Sequence, residues 1–216
     1  MWIALATAWV VIVVHATLLG WTARALGIRV RGVVLFVGPR LLSFRALGLP
    51  FELRAVPVGS HVLLAPDAAS ERPEVVNTRP DVERELDLDV RDLAWGRRAI
   101  LALVPWAVIF APSLAVLGAD AFVELMRGMM QFFAGLAFWS EGPAHVSAMW
   151  ALFASTTGLR IAALTVVKFV AMNLLPIPGL SGGLILPRTP TWLVVASTSV
   201  VLATAVGWVV SFVAVG

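Results

Sequence analysis

The side chains best suited to chemistry in this chain are three histidines, His15, His61 and His145, and the sequence contains no cysteine. His15 lies in the stretch VVHATLLG, at the end of an apolar run. Two histidines at positions i and i+4 share one helix face and can together hold a zinc ion. Here the position four residues after His15 is Leu19, and the residue directly after His15 is Ala16, so neither neighbour can bind a metal. Taken alone, His15 is a lone histidine near a helix end, satisfied by a hydrogen bond or by water.

A second stretch, NLLPIPGLSGG at 173–183, interrupts another apolar segment. Pro176 and Pro178 break the end of a helix, and three glycines then allow a turn or close backbone packing. Within a membrane such a break is tolerated only where it faces protein or a water-filled cavity. The simpler interpretation, which composition alone favours, is a loop between two membrane spans.

These two stretches together resemble the site-2 protease family of intramembrane zinc metalloproteases. That family carries H-E-x-x-H near the end of its first span and N-L-L-P-I-P-x-L-D-G-G later in the chain. The resemblance implies zinc ligands at positions 15, 19 and 181, and a general base at position 16. This chain has His15, Ala16, Leu19 and Ser181 at these positions. His15 is therefore the one remaining candidate ligand, and the resemblance predicts neither a catalytic residue nor a metal site.

The composition is that of a membrane protein, since 60% of the residues are hydrophobic and only 13% are charged. We expect a single membrane domain over residues 1–216, in contact with the lipid bilayer. The predicted fold is an all-α polytopic membrane protein with about four transmembrane helices and a small membrane-associated antiparallel β region after the first span. The predicted spans are about 2–19, 99–118, 159–175 and 192–212. No basic stripe with interleaved aromatics is present, which excludes nucleic acid as a partner.

The predicted β region covers residues 28–64. Phe51, Leu53 and Ala55 alternate with Glu52 and Arg54, as in a half-buried strand, and the turn signals indicate three or four strands. In the resembled family this region presents a strand edge to an extended substrate, which is β-augmentation. The alternative is a sheet that only plugs the helix bundle. The predicted partner-binding residues are Phe51, Leu53, Ala55, Asn173, Pro176 and Pro178.

Two further segments are distinguished by their charge. Residues 65–98 hold most of the acidic residues and are predicted to form a solvated cytoplasmic segment. Residues 121–138 combine an apolar stripe with Glu124, Arg127 and Gln131, which predicts a helix lying in the membrane interface. A fifth span is the alternative, and its charges argue against it.

The arginines near the span ends gather after the first span and around Arg188. The positive-inside rule then predicts that these segments and the β region lie in the cytoplasm and that both termini lie outside. We expect the membrane to be a bacterial inner membrane.

The leading functional interpretation is a catalytically inactive, site-2-protease-like membrane protein. This pseudoprotease would bind a transmembrane or extended segment of a partner membrane protein and would need no cofactor. The alternative is an active intramembrane zinc metalloprotease with non-standard ligands. A third possibility is a structural or transport component of a membrane complex, for which Lys168, a charge inside a predicted span, is the one supporting feature.

Overall fold

The computed structural model describes residues 2–65, 93–134, 140–177, 180–186 and 190–215. Most of the polar segment predicted at 65–98, the end of the helix predicted at 121–138, and Pro178 and Arg188 lie outside these residues. The elements in chain order are α1 (Trp2–Ala25), β1 (Arg29–Ala46), β2 (Leu49–Ala65), α2 (Trp95–Leu117), α3 (Asp120–Phe132), α4 (Gly142–Ser155), α5 (Gly158–Leu174), a short 3₁₀ helix (Ser181–Ile185) and α6 (Thr191–Val215).

Three helices in the described part of the chain, α1, α2 and α6, are long and apolar enough to cross a membrane. The expectation of about four spans is therefore not confirmed. The helix at the position of the remaining predicted span, α5, has 17 residues and carries Arg160 and Lys168. At 1.5 Å per residue it is about 25 Å long, which is shorter than the ~30 Å hydrocarbon core of a typical bilayer.

Several hydroxyl side chains of α1 and α6 are satisfied within their own helices. The hydroxyl groups of Thr7 and Thr17 donate to the carbonyl oxygens four residues earlier, at 2.7 and 2.8 Å. Thr204 and Ser211 on α6 do the same, each at 2.8 Å. Such bonds allow hydroxyl side chains inside a membrane helix without a partner from another element.

The chain divides into two compact units, Ile12–Pro105 and Met1–Val11 with Trp106–Gly216. In the first unit, the end of α1 packs on the sheet. A Cβ placed on Gly20 would lie 3.0 Å from Leu49 Cδ1, so glycine permits this close approach. Arg24 Nη1 then donates to the Gly48 carbonyl oxygen at 2.7 Å, and Trp21 Nε1 donates to that of Leu47 at 3.1 Å. The β1–β2 turn is thereby held against the last turns of α1.

The sheet of this unit is antiparallel, as predicted, and its described part consists of two long irregular strands, β1 and β2, whose bent segments pair as several shorter strands would. β1 continues through Gly38 and Pro39, where the sequence predicts a turn, because Gly38 adopts a φ of 95° that lets the strand bend without ending. The bends let different parts of β1 pair with different parts of β2. Residues 29–35 pair with 60–65, and residues 42–46 pair with 49–53.

The second unit is held together by packing of α3 on α5 and of α4 on α6. A Cβ placed on Gly128 of α3 would lie 2.9 Å from Ala171 Cβ of α5, which shows how closely these two helices approach. On α6, Thr204, Gly207 and Ser211 are buried, and such small residues allow close packing between membrane helices. Trp208 of α6 donates its indole N–H to the Phe132 carbonyl oxygen at 3.1 Å, which ties α6 to the end of α3.

Candidate functional site

Position 16, where the resemblance implies a general base, is a packing position of the apolar core. Ala16 is 1% exposed and belongs to a cluster with Val33, Leu35, Leu49 and Phe51 of the sheet. Residues 16 and 20 lie one turn apart on the same helix face, and this is the face that meets the sheet. A carboxylate at position 16 would therefore be buried among apolar side chains.

The position of the second implied histidine is likewise part of apolar packing. Leu19 is half-buried and packs against a cluster formed by Ala23, Ile28, Leu64 and Leu101. His15, one turn earlier, is half-buried on the same helix. Two of the positions that the resemblance assigns to the metal site are thus filled by side chains that contribute to the core and cannot ligate a metal.

Ser181 stands at the first position of the 3₁₀ helix that follows the end of α5. Consecutive backbone hydrogen bonds build the turn: Ile177 N–H donates to Leu175 O at 2.7 Å, Leu180 N–H to Ile177 O at 3.0 Å, and Gly183 N–H to Leu180 O at 2.9 Å. Gly182 is buried directly against the end of α5, since an added Cβ would lie 2.3 Å from the Leu174 carbonyl oxygen. The glycine after Ser181 is therefore required for the packing of this turn.

The residues predicted to bind a partner near this turn differ in their accessibility. Asn173 donates its side-chain amide to the Phe169 carbonyl oxygen at 2.9 Å, so this group is engaged within α5. Pro176 is exposed. Pro178 lies outside the described residues.

The predicted strand edge near Phe51 does not fit the pairing of the sheet. Phe51 pairs with both Val33 and Phe44, and Leu53 pairs with both Leu35 and Leu42. This stretch of β2 therefore lies between two parts of β1 and has no free edge, because ladder positions on both sides are taken. Phe51 is buried and its ring stacks on Phe44, with centroids 5.3 Å apart.

Along the rest of this stretch, Leu53 is half-buried and Ala55 is exposed. One edge of the sheet lies at residues 42–46, whose ladder partners in the described part of the chain are residues 49–53 alone. Sequence alternation shows which side chains share a face of a strand, but it cannot show which strands are neighbours.

The structure also reveals a polar cluster between α3 and α5 that the sequence did not bring together. Lys168 Nζ donates to Glu124 Oε2 at 2.9 Å, to Gln131 Oε1 at 2.9 Å and to the Glu124 carbonyl oxygen at 3.3 Å. Arg127 pairs with Glu124 from the same helix. The available signal was the spacing of Glu124 and Gln131, which are seven residues apart and so share a helix face.

The described side chains at positions 15, 16, 19 and 181 do not fit a zinc ion, because His15 is the one usual zinc ligand among them. Across residues 2–65, 93–134, 140–177, 180–186 and 190–215, no group of three His, Asp or Glu side chains is arranged to hold a metal. Of the other histidines, His61 is exposed on β2 opposite Val34, and His145 on α4 lies with its ring centroid 6.3 Å from that of Trp208. Catalytic zinc normally needs three protein ligands, and of the implied ligand positions 15, 19 and 181, position 19 holds a leucine that can supply none.

The long apolar helices define a class, the integral membrane proteins with several helical spans. Comparison with protein families makes this more specific, because the model of peptidase family M50 matches residues 3–214. The chain therefore belongs to peptidase family M50, the site-2 protease family, as the resemblance of its two short motifs predicted. No curated protein and no solved structure matches the chain.

Proposed function

We propose that this protein is a catalytically inactive member of the site-2 protease family, a pseudoprotease. The observation that carries the proposal is the burial of Ala16 among Val33, Leu49 and Phe51. In a zinc protease a base at this position activates the metal-bound water. Here the position serves core packing, and a family fold does not carry its chemistry without the residues that perform it.

The proposed role is binding of a partner membrane protein through an extended or transmembrane segment. Support comes from the edge of the sheet at residues 42–46, together with Leu41, Leu42 and Phe44, whose side chains are 64, 54 and 40% exposed. Exposed edge strands with apolar side chains are templates for a further strand. Arg45, exposed on the same stretch, favours a partner segment that carries acidic residues.

In the proposed membrane arrangement α5 is a fourth span. Its 17 residues correspond to the lower length limit of transmembrane helices. Arg24 in the last turn of α1 and Arg97 and Arg98 in the first turn of α2 flank the β region, which supports its location in the cytoplasm with both termini outside. A bacterial inner membrane is the proposed location.

Elemental analysis of the full chain, purified in mild detergent without a histidine tag, tests the catalytic part of the proposal. We expect no stoichiometric zinc in the parent protein. Near-stoichiometric zinc that is lost in His15→Ala but kept in the control His61→Ala would overturn the proposal. That result would instead support the alternative, an active zinc metalloprotease with non-standard ligands. The retention of His15 at its family position is the observation that favours this alternative.

Photo-crosslinking tests the partner-binding part. A photoreactive amino acid at Leu42, on the free edge, should capture a partner in the native membrane, whereas the same residue at buried Phe51 should not. Equal capture at the two positions, or none at Leu42, would contradict binding at this edge. If a defined set of proteins co-purified with this chain but was not crosslinked at Leu42, the protein would instead be a structural component of a larger complex.

A further inference from the structure

Helix α3 turns its polar side inward. Glu124, Gly128 and Gln131 share one face, because they are separated by four and three residues. This face meets α5, where Lys168 donates to both Glu124 Oε2 and Gln131 Oε1 at 2.9 Å. Close packing at Gly128, whose added Cβ would lie 3.0 Å from Lys168 Cδ, holds the two helices at this distance.

The opposite face of α3 is apolar and open. Phe122, Met126, Met130 and Phe133 are 55, 61, 78 and 41% exposed. A helix on the surface of a water-soluble protein shows the reverse arrangement, with its charges outward and its large apolar side chains against the core. Contiguous exposed apolar side chains of this size indicate a contact surface for something other than water.

Helix α3 also runs back beside a candidate span. Only Gly118 and Ala119 separate α2 from α3, and Gly118 adopts a φ of 57°, which lets the chain reverse tightly. Phe122 meets Phe110 of α2 edge to face, with ring centroids 5.4 Å apart. Phe110 lies seven residues before the end of α2, or about 10 Å along its axis, so α3 enters the same layer that α2 crosses.

We propose that α3 is a re-entrant helix embedded in the bilayer, with its open apolar face against lipid acyl chains. Its 13 residues span about 20 Å, too short to cross the ~30 Å hydrocarbon core, so it enters the membrane without crossing it. The charges that argue against such a position in the sequence are paired: Lys168 binds Glu124, and Glu124 also binds Arg127. The Lys168–Glu124 pair joins two neighbouring helices, which is the arrangement in which ionisable residues occur inside membranes, whereas the Arg127 side chain is 54% exposed.

This placement differs from a helix lying in the interface. In the interface, Glu124 and Gln131 would face water and the apolar side would face the membrane from above. In the proposed placement, the Lys168 cluster lies inside the protein at membrane depth. The proposal does not depend on whether the protein is catalytic.

The absence of cysteine from the chain permits a direct test by single-cysteine labelling. Nitroxide labels at Met126→Cys and Met130→Cys would be compared in liposomes with a lipid-facing control, Val206→Cys on α6, which is 53% exposed. The water-facing control is Asp89→Cys, in the segment whose composition predicts solvation. For labels on α3, we expect dissolved oxygen to relax the nitroxide more strongly than a water-soluble nickel chelate does. The same order is expected for the lipid-facing label at Val206→Cys.

Two results would overturn the proposal. Chelate accessibility on α3 equal to that of Asp89→Cys would place the helix in water. Labels shielded from both oxygen and chelate would show that a protein surface or a second copy of this chain covers this face.

The Lys168–Glu124 pair provides a second arm. Lys168→Met removes the counter-charge of Glu124, and we expect chelate access at Met130→Cys to rise at least severalfold as α3 moves toward water. The exchange Lys168→Glu with Glu124→Lys should restore the parent value. Unchanged chelate access in Lys168→Met would show that the pair does not hold the helix in the membrane, contrary to this part of the proposal.

Discussion

Gly182 packs so closely against the end of α5 that an added Cβ would lie 2.3 Å from the carbonyl oxygen of Leu174. The turn that carries Ser181 is therefore positioned by direct backbone contact. The neighbouring atoms are main-chain atoms of α5, so they cannot move aside as a flexible side chain could.

Gly182→Ala should consequently shift the turn and destabilise the protein by about 1–3 kcal/mol, the usual cost of overpacking. The matched control is Gly96→Ala in the first turn of α2, where an added Cβ meets nothing within 4 Å. Thermal unfolding in detergent would measure both variants. Equal midpoints for Gly182→Ala and the parent would contradict the close contact.

A second prediction concerns position 16 of α1. Ala16→Glu places a carboxylate in the apolar cluster with Val33, Leu49 and Phe51, so we expect a loss of about 3 kcal/mol in the free energy of unfolding. Ala16→Ser, which is nearly the same size and can bond to its own helix, should lose less than about 1 kcal/mol. The fraction of monodisperse protein after heating measures the difference. A Glu variant as stable as the parent would reveal space for a general base and weaken the pseudoprotease proposal.

A third prediction distinguishes an internal strand from its edge. Leu53→Pro removes a backbone donor from a stretch of β2 that has partners on both sides, and we expect a loss of more than about 2 kcal/mol. Leu41→Pro is the control, because Leu41 is 64% exposed and has no partner in the ladder of the described residues. The readout is resistance to limited proteolysis. If Leu41→Pro were the more disruptive of the two, the strand order would be wrong.

The fourth prediction concerns the ion pair between α3 and α5. Lys168→Met should lower the free energy of unfolding of the protein. The loss should lie between about 1 kcal/mol, typical of an exposed ion pair, and about 3 kcal/mol, typical of a buried one, since the two side chains are 36 and 18% exposed. The double variant Lys168→Met with Glu124→Gln should recover part of this loss, because it removes the carboxylate that has lost its partner on α5 and keeps only Arg127 of its own helix. A double-mutant cycle with a coupling free energy near zero would show that the pair contributes nothing to stability.

Local patterns in the sequence were sufficient for the membrane character and the family. The apolar runs of α1, α2 and α6 can be recognised without knowing which elements pack against them, since a candidate span is defined by its length and hydropathy. The family followed from two short motifs whose residues are close together in the chain, and the match over residues 3–214 confirmed it. The expectation of about four spans is not confirmed, because α5 is short and carries two charges.

The sequence by itself determined which residues share a face, through the periods of helix and strand. The tertiary structure decided which face each element turns inward. In a membrane the lipid is as apolar as a protein core, so the stripe on α3 does not reveal whether its apolar or its polar side meets a neighbour. The polar side of α3 meets α5 because Lys168, which lies 44 residues after Glu124 in the chain, donates to the Glu124 carboxylate. The same holds for Phe51, whose place between Val33 and Phe44 arises from pairing with two different segments of β1, and the choice of paired segments leaves no periodic mark in either strand.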